Sequence, residues 1–133
     1  FQANRIREYL ERYNVGHIGI DITGIGYGVY EQIEDLHQVM PIHYSLETKT
    51  RLVMNGKRII QSGRFQYDAA DTAITQSFMQ ITQQSTRGGH ITYGANRNDQ
   101  TGHADLAWSV MHAFYAESVG QTSSGSVITA SSN

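Results

Sequence analysis

The sequence predicts an α/β domain in which helices pack in layers on a sheet. Short apolar runs, typical of strands, alternate along the chain with longer segments whose apolar residues recur at helical spacing. The 133 residues suit a single domain with a substantial core, since 39% of them are hydrophobic and 17% are charged. The sequence contains no cysteine, which excludes disulfides, thiol nucleophiles and cysteine-based zinc sites.

The first half of the chain is predicted to hold three helices and two strands. In order, they are an amphipathic helix over 1–14, a strand over 15–22, a helix from the following glycine-rich turn to about Leu36, a strand over 39–44, and a helix from about Glu47 to Gly63. The second strand is placed near a sheet edge because Pro41 has no backbone N–H to donate.

The second half continues the alternation. The predicted elements are a strand over 64–67, a helix capped by Asp68 that carries Ile74, Phe78 and Ile81 inward and is broken at Gly88, a strand over 90–95, and a helix from about Gly102 to Glu117. Residues 119–133 are rich in Gly, Ser and Thr and are predicted to be a disordered tail, so the domain itself spans 1–118.

Two aspartates in glycine-marked settings are the candidate site. Asp21 lies at the end of the first apolar strand, and Asp105 lies in the first turn of the last helix. An unpaired carboxylate is costly in a buried strand, and two carboxylates about 4 Å apart repel by roughly 4 kcal/mol at an effective dielectric near 20. Such a pair invites a cation or a shared proton, which favours metal-dependent chemistry.

Each feature also has a simpler interpretation. Gly24, Gly26 and Gly28 follow a strand as a nucleotide-binding loop does, but the third glycine is one residue early, and a tight strand-to-helix turn is the favoured explanation. Asp105 by itself could have no role other than a favourable interaction with the helix dipole. His103, two residues earlier, favours a metal site, whereas the other histidines show no ligand spacing and are interpreted as structural or solvated.

A basic stretch is the candidate nucleic-acid contact. Residues 49–64 carry five Lys and Arg, among them Lys49 and Arg51, and Arg97 lies nearer the candidate site. The stretch is either a solvated helix face or a surface that holds a phosphate backbone. The net charge of −2 gives no overall attraction to nucleic acid, and the sequence has neither an apolar run of about 20 residues for a membrane span nor a signal-peptide pattern.

Four segments carry a family resemblance. Residues 17–30, 44–53, 62–68 and 102–113 together resemble the C-terminal nuclease domain of the large terminase subunit of tailed bacteriophages, closest to the branch of temperate contractile-tailed phages and prophages. The resemblance covers nearly all of residues 1–118. It implies a ribonuclease H-like fold, a mixed sheet flanked by helices, and an endonuclease that cuts concatemeric double-stranded DNA during genome packaging.

The resemblance also implies the site. Three acidic residues of this family gather two Mg²⁺ or Mn²⁺ ions; Asp21 matches the second, Asp105 matches the third, and His103 matches a position near the metals in some relatives. The family's first acidic residue lies on leading strands that would precede Phe1, so we expect this chain to lack those strands and to be inactive by itself. The implied partners are double-stranded DNA, the phage portal and the small terminase subunit, with no membrane, in the cytoplasm of the bacterial host.

Three function classes therefore remain open from the sequence. The first is the metal-dependent endonuclease with Asp21 and Asp105 as ligands. The second is a phosphate- or nucleotide-binding module that uses the loop from Gly24 to Gly28 without chemistry. The third is a non-catalytic module that docks on packaging partners.

Overall fold

The computed structural model describes residues 1–95, 104–120 and 128–130. Within those residues the elements follow in the order α1 (Gln2–Arg12), β1 (Ile18–Asp21), α2 (Gly26–Tyr30), β2 (Val39–Ile42), α3 (Leu46–Gln61), β3 (Phe65–Tyr67), α4 (Thr72–Met79), β4 (Ile81–Ser85), β5 (Ile91–Ala95), α5 (Ala104–Gly120) and β6 (Ile128–Ala130). The predicted α/β alternation is confirmed. None of the helices in this described part is long and apolar enough to cross a membrane.

The described strands form three pairs. β1 and β2 are parallel, with Asp21 opposite Ile42 and Pro41 opposite Ile20. β3 and β6 are also parallel, whereas β4 and β5 form an antiparallel hairpin. Pro41 therefore lies in a strand whose described pairing is on one side, which agrees with the edge position predicted for it.

The core lies where α3 crosses α5. Its buried cluster consists of Ile42, Leu52, Ile59, Met111 and Phe114. Burying a side chain of this size contributes roughly 1.5–3 kcal/mol, so this cluster is a main source of stability. Phe65 of β3 meets the Phe114 ring edge-on, at 5.0 Å between centroids, and joins β3 to the same core.

Two glycines permit the close approach of α5 to its neighbours. A Cβ on Gly19 of β1 would lie 2.9 Å from the Cβ of His112, and a Cβ on Gly56 of α3 would lie 3.1 Å from the Cγ of Met111. Gly56 is unfavourable by propensity in the middle of a helix, and this packing explains its presence. Both glycines therefore set how near α5 lies to β1 and α3.

The structure corrects the predicted helix after β3. Asp68 does not cap it, because its carboxylate accepts the backbone N–H of Ala70 and the helix begins only at Thr72. The helix then ends at Met79, and Ile81 starts strand β4 instead of continuing the helix toward Gly88. Ile81 fits helical spacing from Ile74 and Phe78, so apolar periodicity could not separate the two structures.

Two further boundaries differ from the prediction. α2 ends at Tyr30 rather than near Leu36. The chain continues in turns whose backbone hydrogen bonds join residues three positions apart, and the side chain of Ile33 is buried there. Ile128–Ala130, in the segment predicted to be a tail, forms strand β6 along the edge of β3. β-Branched residues such as Ile128 and Thr129 favour strands.

Candidate functional site

Asp21 lies where the sequence predicted it, at the carboxyl end of β1. Its half-buried carboxylate accepts the backbone N–H of Thr23 at 2.8 Å, which turns the chain away from the strand. Gly26 then returns against the backbone of Asp21, so closely that a Cβ there would lie 1.7 Å from the Asp21 carbonyl oxygen. This glycine is required by the strand-to-helix turn itself, with no phosphate needed to explain it.

Asp105 lies in the first turn of α5 and is exposed. The amino-terminal end of a helix carries partial positive charge that favours a carboxylate there. The same turn is anchored from another helix, because the fully buried Ser77 of α4 accepts the backbone N–H of Ala107 at 2.8 Å. Ser77 therefore fixes the part of α5 that presents Asp105.

Tyr44 lies near the elements that carry both candidate carboxylates. Burial raises the pKa of the Tyr44 hydroxyl above its ordinary value of 10.0, and the negative charges of Asp21 and Asp105 each raise it further. Its backbone N–H donates to Thr23 Oγ1 at 2.9 Å, directly beyond Asp21. Its ring packs against Trp108 of α5, at 5.5 Å between centroids. Tyr44 thus contacts both the turn that follows Asp21 and the helix that carries Asp105.

His112 continues the network behind Tyr44. The Tyr44 hydroxyl lies 2.5 Å from His112 Nε2, and His112 Nδ1 lies 3.4 Å from the carbonyl oxygen of Gly19. Burial lowers the pKa of His112 below its ordinary value of 6.5, while the bond to Gly19 and the charge of Asp21 oppose that shift. The neutral ring therefore donates from Nδ1 to Gly19 and accepts the Tyr44 hydroxyl at Nε2.

Three side chains of the candidate site lie along one face of α5. Asp105, Trp108 and His112 follow the i, i+3, i+7 spacing that aligns side chains along a helix. His112 and Trp108 face β1 and Tyr44, as their contacts show. Sequence reasoning missed Tyr44 and Ser77 and interpreted His112 only as structural or solvated; the spacing from Asp105 to His112 was the signal that pointed to this face.

The two carboxylates of the candidate site are chemically suited to bind a divalent cation. Carboxylate oxygens are the ligands that hard cations such as Mg²⁺ prefer. Asp21 and Asp105 supply two of them, and the described ranges 1–95, 104–120 and 128–130 contain no group of three or more acidic or histidine side chains able to hold an ion. The predicted ligand His103 and the predicted DNA contact Arg97 lie outside the described residues.

The other predicted DNA contacts lie early on α3. Ser45 caps that helix by accepting the Thr48 N–H at 3.1 Å, and Lys49 and Arg51 follow within its first turns. Lys49 is half-buried, and the exposed Arg51 lies 3.9 Å from Glu47. Lys49 and Arg51 lie five and seven residues after Tyr44 in the chain. The exposed ion pair of Arg51 with Glu47 contributes little stability.

A family model described as the terminase RNaseH-like domain matches residues 1–117. The chain belongs to this family. This terminase domain is 43% identical over 118 residues to the "Terminase, ATPase subunit" of Escherichia phage P2, and 36% identical over 122 residues to the "Probable terminase, ATPase subunit" of Haemophilus phage HP1. The two alignments cover 87% and 90% of the chain, which spans 20% of the length of each relative.

Solved structures give the same fold. The terminase domain is similar to crystal structures of the large terminase nuclease from thermophilic phage G20c, one with bound cobalt and one with bound magnesium, each with a TM-score of 0.70 and 21% identity. Each match covers 86% of this chain, and 60% or 59% of the other. The predicted ribonuclease H-like fold and the predicted terminase family are therefore confirmed.

Proposed function

We propose that this terminase domain is the metal-dependent endonuclease domain of a phage DNA-packaging protein. The observation that carries the proposal is that Tyr44 contacts both the turn after Asp21, through Thr23, and the helix that carries Asp105, through Trp108. One carboxylate comes from a strand end and the other from a helix start, in a chain of the terminase RNaseH-like family. The substrate is double-stranded DNA and the reaction is hydrolysis of a phosphodiester bond.

In this proposal Asp21 and Asp105 hold two Mg²⁺ or Mn²⁺ ions, with His103 as a further ligand. The similar G20c nuclease structures, one with bound cobalt and one with bound magnesium, support a divalent ion. When bound, such a pair of ions activates the attacking water and stabilises the leaving oxygen. The Thr23 N–H holds the Asp21 carboxylate, and Ser77 holds the helix turn that carries Asp105.

We assign contact with the phosphate backbone of the DNA to Lys49, Arg51 and Arg97. A phosphate contact from a cation releases a counterion and so contributes affinity without sequence preference. The position of Lys49 and Arg51 in the first two turns of α3, which begins two residues after Tyr44, supports this assignment. The family further suggests the phage portal and the small terminase subunit as partners, in the cytoplasm of the bacterial host.

Plasmid cleavage by the full-length protein with Mn²⁺ tests the proposal. Asp21→Asn and Asp105→Asn should abolish cleavage with the fold intact by circular dichroism, because an amide keeps the shape and removes the ligand charge. Asp68→Asn is the matched control: Asp68 comes directly after strand β3, and like Asp21 it accepts with its carboxylate the N–H two residues on, at 2.9 Å. Cleavage at the parent rate by Asp105→Asn would contradict the assignment.

A further inference from the structure

One buried polar bridge joins the two elements that carry the carboxylates. His112 of α5 is only 8% exposed, yet both of its ring nitrogens have partners outside its own helix. Nδ1 faces the carbonyl oxygen of Gly19 on β1, and Nε2 meets the Tyr44 hydroxyl. His17, just before β1, reaches the backbone carbonyl of His112 with its Nε2 at 3.2 Å.

The bridge extends to Asp21 through the backbone. The Tyr44 N–H donates to Thr23 Oγ1, and the Thr23 N–H donates to the Asp21 carboxylate. One connected set of hydrogen bonds thus leads from α5 through Tyr44 to the strand end. Asp105 lies two turns before His112 on the same helix, so a shift of α5 against β1 changes the separation of the two carboxylates.

An apolar contact alone would leave this separation less well defined. Apolar packing is non-directional, whereas a hydrogen bond fixes both distance and angle between its partners. Gly19 removes the side chain that would otherwise hold α5 away from the strand, since even a Cβ there would press on His112. The site therefore combines close backbone approach with directional bonds.

We propose that Tyr44 and His112 are positioning residues, which set the separation of Asp21 and Asp105 by tying α5 to the end of β1 and to the segment after β2. This inference rests on the proposed function, because it concerns the ions that the carboxylates would hold. Groups of a reactive site must be held within about 0.5 Å, and loss of supporting hydrogen bonds typically weakens metal affinity or activity about 10–100-fold.

Two variants test different bonds of the bridge in the full-length protein. Tyr44→Phe removes the hydroxyl that bonds to His112, and Thr23→Val removes the acceptor of the Tyr44 N–H while leaving the buried histidine untouched. Tyr13→Phe is the matched control, since it removes the hydroxyl of a tyrosine that is 56% exposed at the end of α1.

Calorimetric titration with Mn²⁺ is the main measurement, with Asp21→Asn as the blank for other metal sites. We expect Tyr44→Phe to raise the Mn²⁺ dissociation constant about tenfold or more and Thr23→Val to raise it less. Plasmid cleavage should show a similar fall in kcat, with KM for DNA within about twofold of the parent. A purely structural role would instead lower the number of ions bound per chain, at an unchanged dissociation constant.

The outcomes separate this inference from the proposed function. A parent protein that binds no more Mn²⁺ than Asp21→Asn overturns both. A parent that binds Mn²⁺, with dissociation constants for Tyr44→Phe and Thr23→Val equal to that of Tyr13→Phe, overturns the positioning role alone. If Tyr44→Phe does not fold, Thr23→Val decides: a weakened dissociation constant supports the role, and an unchanged one refutes it.

Discussion

Gly26 is the position where a single methyl group should disturb the site most. In Gly26→Ala the new Cβ would lie 1.7 Å from the Asp21 carbonyl oxygen and 2.9 Å from its carbonyl carbon. Because Cβ contacts below 3.0 Å essentially never occur, the strand end and the start of α2 must separate by about 1.3 Å, the difference between 3.0 and 1.7 Å. The obstructing atoms are backbone, so no side chain can rotate away.

The expected cost is at the upper end of the range for overpacking. Inserting a methyl group into a packed site costs about 1–3 kcal/mol, and we expect roughly 3 kcal/mol or more here. At 1.4 kcal/mol per tenfold, that corresponds to hydrogen exchange about 100-fold faster at amides protected by this turn. The Ile22 N–H, bonded to the Ile42 carbonyl at 2.9 Å, is the amide to follow.

Gly28→Ala is the control for this measurement. It lies two residues further along α2, and a Cβ there meets no atom within 4 Å. Alanine is favoured over glycine in a helix by about 1 kcal/mol, so exchange should stay constant or slow down. Exchange in Gly26→Ala within about threefold of the parent, by mass spectrometry of the full-length protein, would refute the steric reasoning.

Three further predictions concern the neighbouring parts. Ser77→Ala should lower the free energy of unfolding by about 1–2 kcal/mol in urea denaturation, because the Ala107 N–H loses its acceptor, while the exposed Gln76→Ala should change it little. Burial lowers the pKa of His112, so this histidine takes up a proton at higher pH in the unfolded chain than in the folded one. The free energy of unfolding should therefore be retained above about pH 6.5 and decline below it. His112→Gln should reduce that decline, measured as the difference between the urea midpoints at pH 7.5 and pH 5.5. Lys49→Ala should weaken DNA binding in fluorescence anisotropy and reduce the slope of the logarithm of the binding constant against the logarithm of salt concentration by about 1. An unchanged slope would show that Lys49 does not contact a DNA phosphate.

Local sequence patterns were sufficient for most elements. Helix α3 was predicted from the spacing of its apolar residues and from the glycine at position 63 that ends it. Strand β1 was predicted from an apolar run that ends at an aspartate. The strand β4 was missed because Ile81 also continues the helical spacing of α4. Its hairpin with β5 depends on backbone pairing between separate segments, which periodicity in one segment does not record.

The candidate site was predictable only in its charges. Asp21 and Asp105 stood out because each follows a recognisable local pattern, a strand end and a helix start. Tyr44 and His112 did not, since their roles come from contacts between residues 68 and 93 positions apart. Gly19 and Gly56 likewise acquire their meaning from the helix that packs on them. A local pattern thus locates charges, and tertiary contacts determine what holds them.

The long sequence separation of these contacts has a consequence for folding order. The bonds that hold α5 span 30 residues to Ser77, 68 to Tyr44 and 93 to Gly19. Contacts of such high separation form late, because the chain must close long loops before they contribute. We therefore expect the candidate site to assemble only in the last stages of folding. A nascent chain or a proteolytic fragment that ends before α5 would then lack Asp105 and, under the proposed function, one of the two carboxylates of the metal site.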